Sequence, residues 1–178
     1  MNEPHYTIDS LEPGKSIGFL VKRCGVAMTR VAERRFLTES VSFTQWLVLA
    51  NLNRFEHVSA TMLSEETGYD MGALTRIVDR LESDGLVRRE RCQHDRRAVE
   101  IALTTEGRRR LQGGKRIVAD LLNELTASYT PRELETLIGL MQRMLLKLQE
   151  SEAQARAQPA PRAPRQRPTR RPTSRGVR

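Results

Sequence analysis

The chain has 178 residues, 38% of them hydrophobic and 29% charged, with two cysteines and a formal net charge of +8. That length can bury a proper core, so one domain is expected and no disulfide framework is required. No stretch nears the roughly 18 apolar residues of a membrane span, and the polar segment Met1 to Glu12 lacks the apolar centre of a signal peptide. A soluble cytoplasmic protein is expected, with Cys24 and Cys92 in a reducing environment.

The charge is uneven. Residues 153–178 hold eight arginines and no acid, which leaves 22 bases against 22 acids in residues 1–152. Within that balanced body, residues 86–116 hold ten bases and four acids, whereas 39–85 hold three bases and eight acids. The local basic strip, rather than the total, is the nucleic-acid signal.

In chain order, a first helix is predicted from about Gly14 to Phe36, with Ile17, Leu20, Val21, Cys24, Ala27, Met28 and Val31 on one stripe. Cys24 reads either as a small buried hydrophobe in that stripe or as a peroxide-sensing thiol. A second helix starts at Ser42-Phe43-Thr44-Gln45, a capping box with Val41 and Trp46 at the staple positions. Trp46 is expected in the core, or lining a small pocket. A short helix follows over about Ala60 to Thr67, with Ser59 as its cap.

Gly68 then supplies the turn and Asp70 the cap of the next helix. Leu74, Ile77, Val78 and Leu81 form its apolar stripe. Gly72, Thr75, Arg76, Asp79, Arg80 and Ser83 form its polar face, and Gly85 stands where a terminating glycine belongs. A helix with little bulk at its start and Thr75 and Arg76 behind suits the DNA major groove. Residues 60–82 thus have the dimensions of a helix-turn-helix.

Two strands are predicted next, Leu86 to Cys92 and Ala98 to Leu103, joined by Gln93-His94-Asp95-Arg96-Arg97. A hairpin directly after a helix-turn-helix is a wing, and arginines at its tip can enter the minor groove. A further helix begins at Thr104 or Thr105 and runs to about Ala127, with Gly113-Gly114 inside it marking a bend or a close helix approach. Thr130-Pro131-Arg132-Glu133 starts the last helix, whose stripe runs from Leu134 to Leu148. One small winged lobe cannot cover the long first and last helices, so their apolar faces are expected to meet a second copy of the chain. From about Ser151 to Arg178 the composition becomes Pro- and Arg-rich, and a disordered basic tail is expected.

Enzymatic signals are weak. His5, His57 and His94 are scattered, and only Cys92-Gln93-His94 brings two metal-ligating types together. Gly113-Gly114-Lys115-Arg116 is no phosphate loop, because Arg109 stands where its first glycine belongs and no Ser or Thr follows Lys115. No catalytic residue, metal or cofactor is expected.

The run Leu74-Thr75-Arg76-Ile77-Val78-Asp79-Arg80-Leu81-Glu82, then Gly85-Leu86-Val87, Asp95-Arg96-Arg97, and Leu103-Thr104 with Gly107 resembles the MarR-type (multiple-antibiotic-resistance regulator) transcription factors. The resemblance covers about residues 14–150. It implies a mainly α winged helix-turn-helix fold with a small β-hairpin. A single domain 1–150 would have dimerisation helices at 14–36 and 105–150 and a DNA-binding lobe at 42–103.

The resemblance further implies a homodimer that represses from a pseudo-palindromic operator. Gly72, Ala73, Thr75, Arg76 and Arg80 would face the major groove. His94, Arg96 and Arg97 would form the DNA-contacting wing, with Asp95 bracing Arg97. A small aromatic or phenolic effector would bind near Cys24 and Trp46. Two alternatives stand beside this: thiol-based sensing through Cys24, and an architectural role with non-specific nucleic-acid binding by the tail. Met71-Gly72-Ala73 departs from the small hydroxyl residues common at this helix start.

Overall fold

A computed structural model of the chain describes residues 4–55, 58–91 and 99–157. The elements are α1 (Ile17–Arg35), α2 (Phe43–Arg54), β1 (Val58–Ser59), α3 (Ala60–Thr67), α4 (Met71–Ser83), β2 (Val87–Arg91), β3 (Val99–Leu103), α5 (Thr105–Leu125) and α6 (Pro131–Ala157). The strands form one antiparallel sheet in the order β1-β3-β2. The chain divides into two compact units, 1–127 and 128–178. The architecture is mainly helical with a small sheet, the winged helix-turn-helix expected from the pattern.

Most of the helix starts are chemical. Ser42 and Gln45 complete the capping box of α2, Ser42 Oγ accepting from the Gln45 amide at 3.1 Å and Gln45 Oε1 from the Ser42 amide at 2.9 Å. The staple residues Val41 and Trp46 are both buried. Ser59 accepts from the Met62 amide to start α3, and Asp70 accepts from the Ala73 amide to start α4. In α1 the first cap is made at a distance: the Tyr6 hydroxyl accepts from the Ile17 amide at 3.2 Å.

Helix ends are equally explicit. Gly68 ends α3 at φ 72°, the left-handed region that a side chain disfavours. Gly85, at φ 71°, follows α4. There the Leu86 amide reaches back to the Leu81 carbonyl and the Gly85 amide to that of Glu82, the paired bonds of a Schellman ending.

The core of the first unit draws Val48, Leu49 and Leu52 from α2, Leu63 from α3, and Leu74, Val78 and Leu81 from α4. Val58, Val87, Ile101 and Leu103 come from the sheet and Leu111 from α5. Burying each such leucine stabilises the fold by about 1.5–3 kcal/mol relative to leaving it exposed. Trp46 stacks on Phe43 and donates its indole N–H to the Leu111 carbonyl at 3.1 Å. This tryptophan needs room from α5. A β-carbon on Gly114 would lie 2.2 Å from its ring, whereas one on Gly113 would meet nothing within 4 Å. The glycine pair is thus a close helix approach, and Gly114 makes it.

The structure differs from the sequence-based expectations at several points. Helix α1 starts at Ile17 rather than Gly14, because the Lys15 and Ser16 amides first close turns on the Glu12 carbonyl. Val58–Ser59 is a strand as well as a helix leader, paired with Ile101 and Glu100. Strand β2 starts at Val87, since the Leu86 N–H turns back to the Leu81 carbonyl, although the Leu86 carbonyl still accepts from the Thr104 amide in register with β3. Cys24 is exposed, not buried. The reason is that α1 leaves most of its apolar stripe uncovered within the chain, with Ala32 its one buried residue among those described.

In the second unit, Thr130 and Glu133 form the cap of α6. The Glu133 carboxylate accepts from the Thr130 amide at 2.8 Å, and that hydrogen bond holds its pKa below the ordinary carboxylate value. The helix continues to Ala157, so residues 151–157, expected in the tail, are helical. The rest of the tail, 158–178, lies outside the described residues.

Candidate nucleic-acid interface

Helix α4 is held by its inner face. Leu74, Val78 and Leu81 are fully buried, and their spacing fixes which residues point out. Gly72, Thr75, Arg76, Asp79, Arg80 and Ser83 are exposed, and Ala73 is half-buried. The turn before the helix is braced by side chains: Ser64 Oγ donates to the Tyr69 carbonyl at 2.7 Å, and Thr67 Oγ1 to that of Leu63 at 2.5 Å.

The exposed residues are not chemically equivalent. Thr75 Oγ1 donates to the Met71 carbonyl at 2.7 Å, so its hydroxyl is left as an acceptor for an adenine or cytosine amino group. Arg76 has no hydrogen bond or ion pair among the described residues, and all its donors are available. Arg80 is paired with Asp84 at 3.0 Å. Asp79 is not a free outward carboxylate: Arg89 on β2 donates to it at 2.6 Å, and the same guanidinium contacts Glu82.

This Arg89 contact was not foreseen from the sequence. Its residues lie 7 and 10 positions apart on different elements. The guanidinium pKa is raised, first by the hydrogen bond to Asp79 and then by that to Glu82. Arg89 and Thr75 also line a cavity of about 230 Å³ whose other walls include Ala60, Leu74, Val78 and Ile101.

The root of the hairpin is tied by Thr104. Its hydroxyl accepts from the Gly107 amide at 3.0 Å as the cap of α5, and donates to the Gly85 carbonyl at 2.7 Å. Gly107 packs directly on the chain at Leu86. A β-carbon there would stand 2.0 Å from the Leu86 carbonyl oxygen. The spacing of Gly85-Leu86, Thr104 and Gly107 in the sequence is therefore one packing unit.

Two further contacts join the helices around this lobe. The Glu33 carboxylate of α1 accepts from the Phe43 and Thr44 amides and from Thr44 Oγ1 at the start of α2. Arg35 makes a two-pronged contact with Glu124 of α5, at 3.0 and 2.5 Å. His94, Asp95, Arg96 and Arg97, the expected wing residues, lie outside the described residues, as does Cys92. Of the residues expected near an effector, Trp46 is packed in the core and Cys24 is exposed on α1.

Residues 40–98 match the model of the MarR family. A cysteine-to-serine variant of MarR from E. coli is 30% identical. The match covers 73% of the present chain and 96% of MarR, with a TM-score of 0.63. The chain belongs to the MarR family. The same MarR variant complexed with operator DNA matches at 30% identity over 72% of this chain and 93% of MarR, with a TM-score of 0.64. A MarR/EmrR family transcriptional regulator from Acinetobacter sp. ADP1 shares the fold at 16% identity, covering 79% and 99% of the two chains with a TM-score of 0.71. As a MarR-family protein the chain is a DNA-binding transcriptional regulator with a winged helix-turn-helix, and not an enzyme. No helix among the described residues is long and apolar enough to cross a membrane.

Proposed function

We propose that the chain is a homodimeric repressor that reads a pseudo-palindromic operator through α4 and the hairpin, and that a small aromatic or phenolic ligand releases it. The observation that carries the DNA-reading part is the state of Arg76. It is exposed on a helix held by three buried residues, and none of its donors is spent on a described neighbour. Gly72, Ala73, Thr75 and Arg76 lead into the major groove, with Arg80 at the far end of the same face. His94, Arg96 and Arg97 reach the minor groove, and Asp95 braces Arg97.

The dimer reading is supported by apolar surface. Helix α1 exposes Ile17, Phe19, Leu20, Val26, Met28 and Val31. Helix α6 has no buried residue, although Leu137, Ile138, Met141, Leu145 and Leu148 recur at helical spacing. Apolar surface of that extent favours a second copy.

The effector reading rests on the small cavity at Thr75 and Arg89, which supplies mostly apolar walls and a guanidinium for a carboxylate or phenolate. A ligand anion there competes with Asp79 and Glu82 for Arg89.

Selection of bound duplexes from random DNA by the full chain tests the central reading. A palindrome with half-sites about one helical turn apart is expected. Binding without sequence preference would replace the repressor reading with the architectural one.

A further inference from the structure

We propose that Arg89 is a positioning residue for DNA recognition: it locks the β2–β3 hairpin to α4, so that hairpin and helix meet adjacent grooves in one fixed register. The proposal rests on the regulator reading above and adds a residue that need not touch DNA itself.

Strand β2 is an edge strand, bonded to β3 on one side only. An edge leaves backbone groups without ladder partners. At the middle of β2 the Arg89 amide points away from β3 and donates to Glu82 Oε1 at 3.1 Å. The Arg89 guanidinium contacts the same Glu82 carboxylate and donates to Asp79 Oδ1 at 2.6 Å. One residue thus fastens the strand to α4 through both its backbone and its side chain. The planar guanidinium fork suits this task, because it engages two carboxylates one turn apart in a fixed orientation.

The location gives the contact its consequence. Asp79 lies one turn after Thr75 on the exposed side of α4. The hairpin that Arg89 fastens carries Arg96 and Arg97 in its connection. The arginine side chain is 32% exposed and those of Asp79 and Glu82 are 58% and 38% exposed, so the pairs add little to global stability. Their effect lies instead in the angle between two DNA-contacting elements.

A charge-only role gives the opposite sign. Asp79 and Glu82 are negative charges on a face that approaches phosphates. Replacing both with alanine puts the strongest helix former at each position and removes two charges of repulsion. If Arg89 merely masks those charges, the Asp79→Ala, Glu82→Ala double variant binds operator more tightly.

The experiment compares three full-length proteins on two duplexes: the palindrome that the unaltered chain selects from random DNA, and a scrambled duplex of equal length. The proteins are the unaltered chain, the double variant and Arg89→Ala. The double variant is expected to lose at least tenfold in affinity for the selected duplex while binding the scrambled one as tightly or more tightly. Hydroxyl-radical protection in the minor groove flanking each half-site should fade. Arg89→Ala should lose the same protection with unchanged circular dichroism, and if it fails to fold the double variant decides alone. Unchanged or tighter binding to the selected duplex, with flanking protection kept, would overturn the proposal. If the unaltered chain selects no duplex, the regulator reading fails instead, and the two failures are distinct.

Discussion

Glu33 of α1 caps the start of α2 at its second residue: its carboxylate accepts from the Thr44 amide at 3.0 Å and from Thr44 Oγ1 at 2.6 Å. The Ser42 side chain already serves the Gln45 amide. The amides left over at a helix start are therefore met by the preceding helix, where a negative charge also opposes the positive end of the helix dipole. Glu33→Ala is expected to lower stability by about 1–2 kcal/mol, the range for losing a good cap. Urea unfolding checks it, and a shift of the midpoint without a change in slope is the expected form.

Gly107 and Gly113 should respond in opposite directions to the same substitution. Gly107→Ala places a methyl group against the Leu86 carbonyl, a backbone atom that cannot swing away. A loss of about 1–3 kcal/mol is expected, as for overpacking a tight site. Gly113→Ala meets nothing within 4 Å and replaces a poor helix former. It should gain up to about 1 kcal/mol. Thermal melts of the two variants beside the unaltered protein separate the cases.

Acid should weaken the fold through identifiable carboxylates. Arg109 and Arg110 hydrogen-bond Glu106 and pull its pKa down to about 2, and Arg35 lowers that of Glu124. A carboxylate whose folded pKa is depressed stabilises fully above its unfolded value, and the contribution fades as pH falls toward the folded one. For Glu106 the window runs from its ordinary value of 4.5 down to about 2. Denaturation midpoints measured across that window should fall less steeply for Glu106→Gln than for the unaltered chain. Identical slopes would show that the ion pairs are not formed in solution.

Arg76 and Arg97, two of the arginines proposed to face DNA, should differ in what they control. Arg76→Ala is expected to cost about 1–3 kcal/mol on the selected duplex and to relax preference at one base position. Arg97→Ala should cost a similar amount, with the dimer intact by analytical ultracentrifugation. Loss of the dimer on changing Arg97, or no change in affinity, would count against its wing role.

Cys24 is exposed in the single chain, on the α1 stripe proposed to meet a second copy, and peroxide treatment tests whether its thiol responds in the assembled protein. Operator release by peroxide, if the protein shows any, should persist in Cys24→Ser. Its disappearance would move the sensing function from an aromatic ligand to this thiol.

The caps, the turn and the inward stripe of α4 were legible in the sequence because each is local. Ser42 with Gln45, Gly68, Asp70 and Gly85 each announce a helix end within a few residues. Strand β1 was missed because two residues carry no alternation, and only pairing to Ile101 and Glu100 defines it. Asp79 looked like an outward acid for the same reason. Helical spacing gives the side of the helix, while the partner Arg89 arrives from another element. The burial predicted for Cys24 failed because periodicity reports an apolar stripe without saying whether the same chain covers it. The Gly107 position was visible as part of a motif, yet its cause, the Leu86 carbonyl lying where a side chain would go, required the fold.

The bond from Thr104 to Gly85 closes a loop of the chain before the hairpin has begun. Everything between those residues hangs from a fastened root, and the ends stay together whatever lies at the tip. Lengthening the tip then costs little, since closure entropy grows only slowly with loop length. The connection between β2 and β3 is thereby free to change in length and charge while α4 and the core keep their places. A lineage can vary that stretch of sequence without refolding α4.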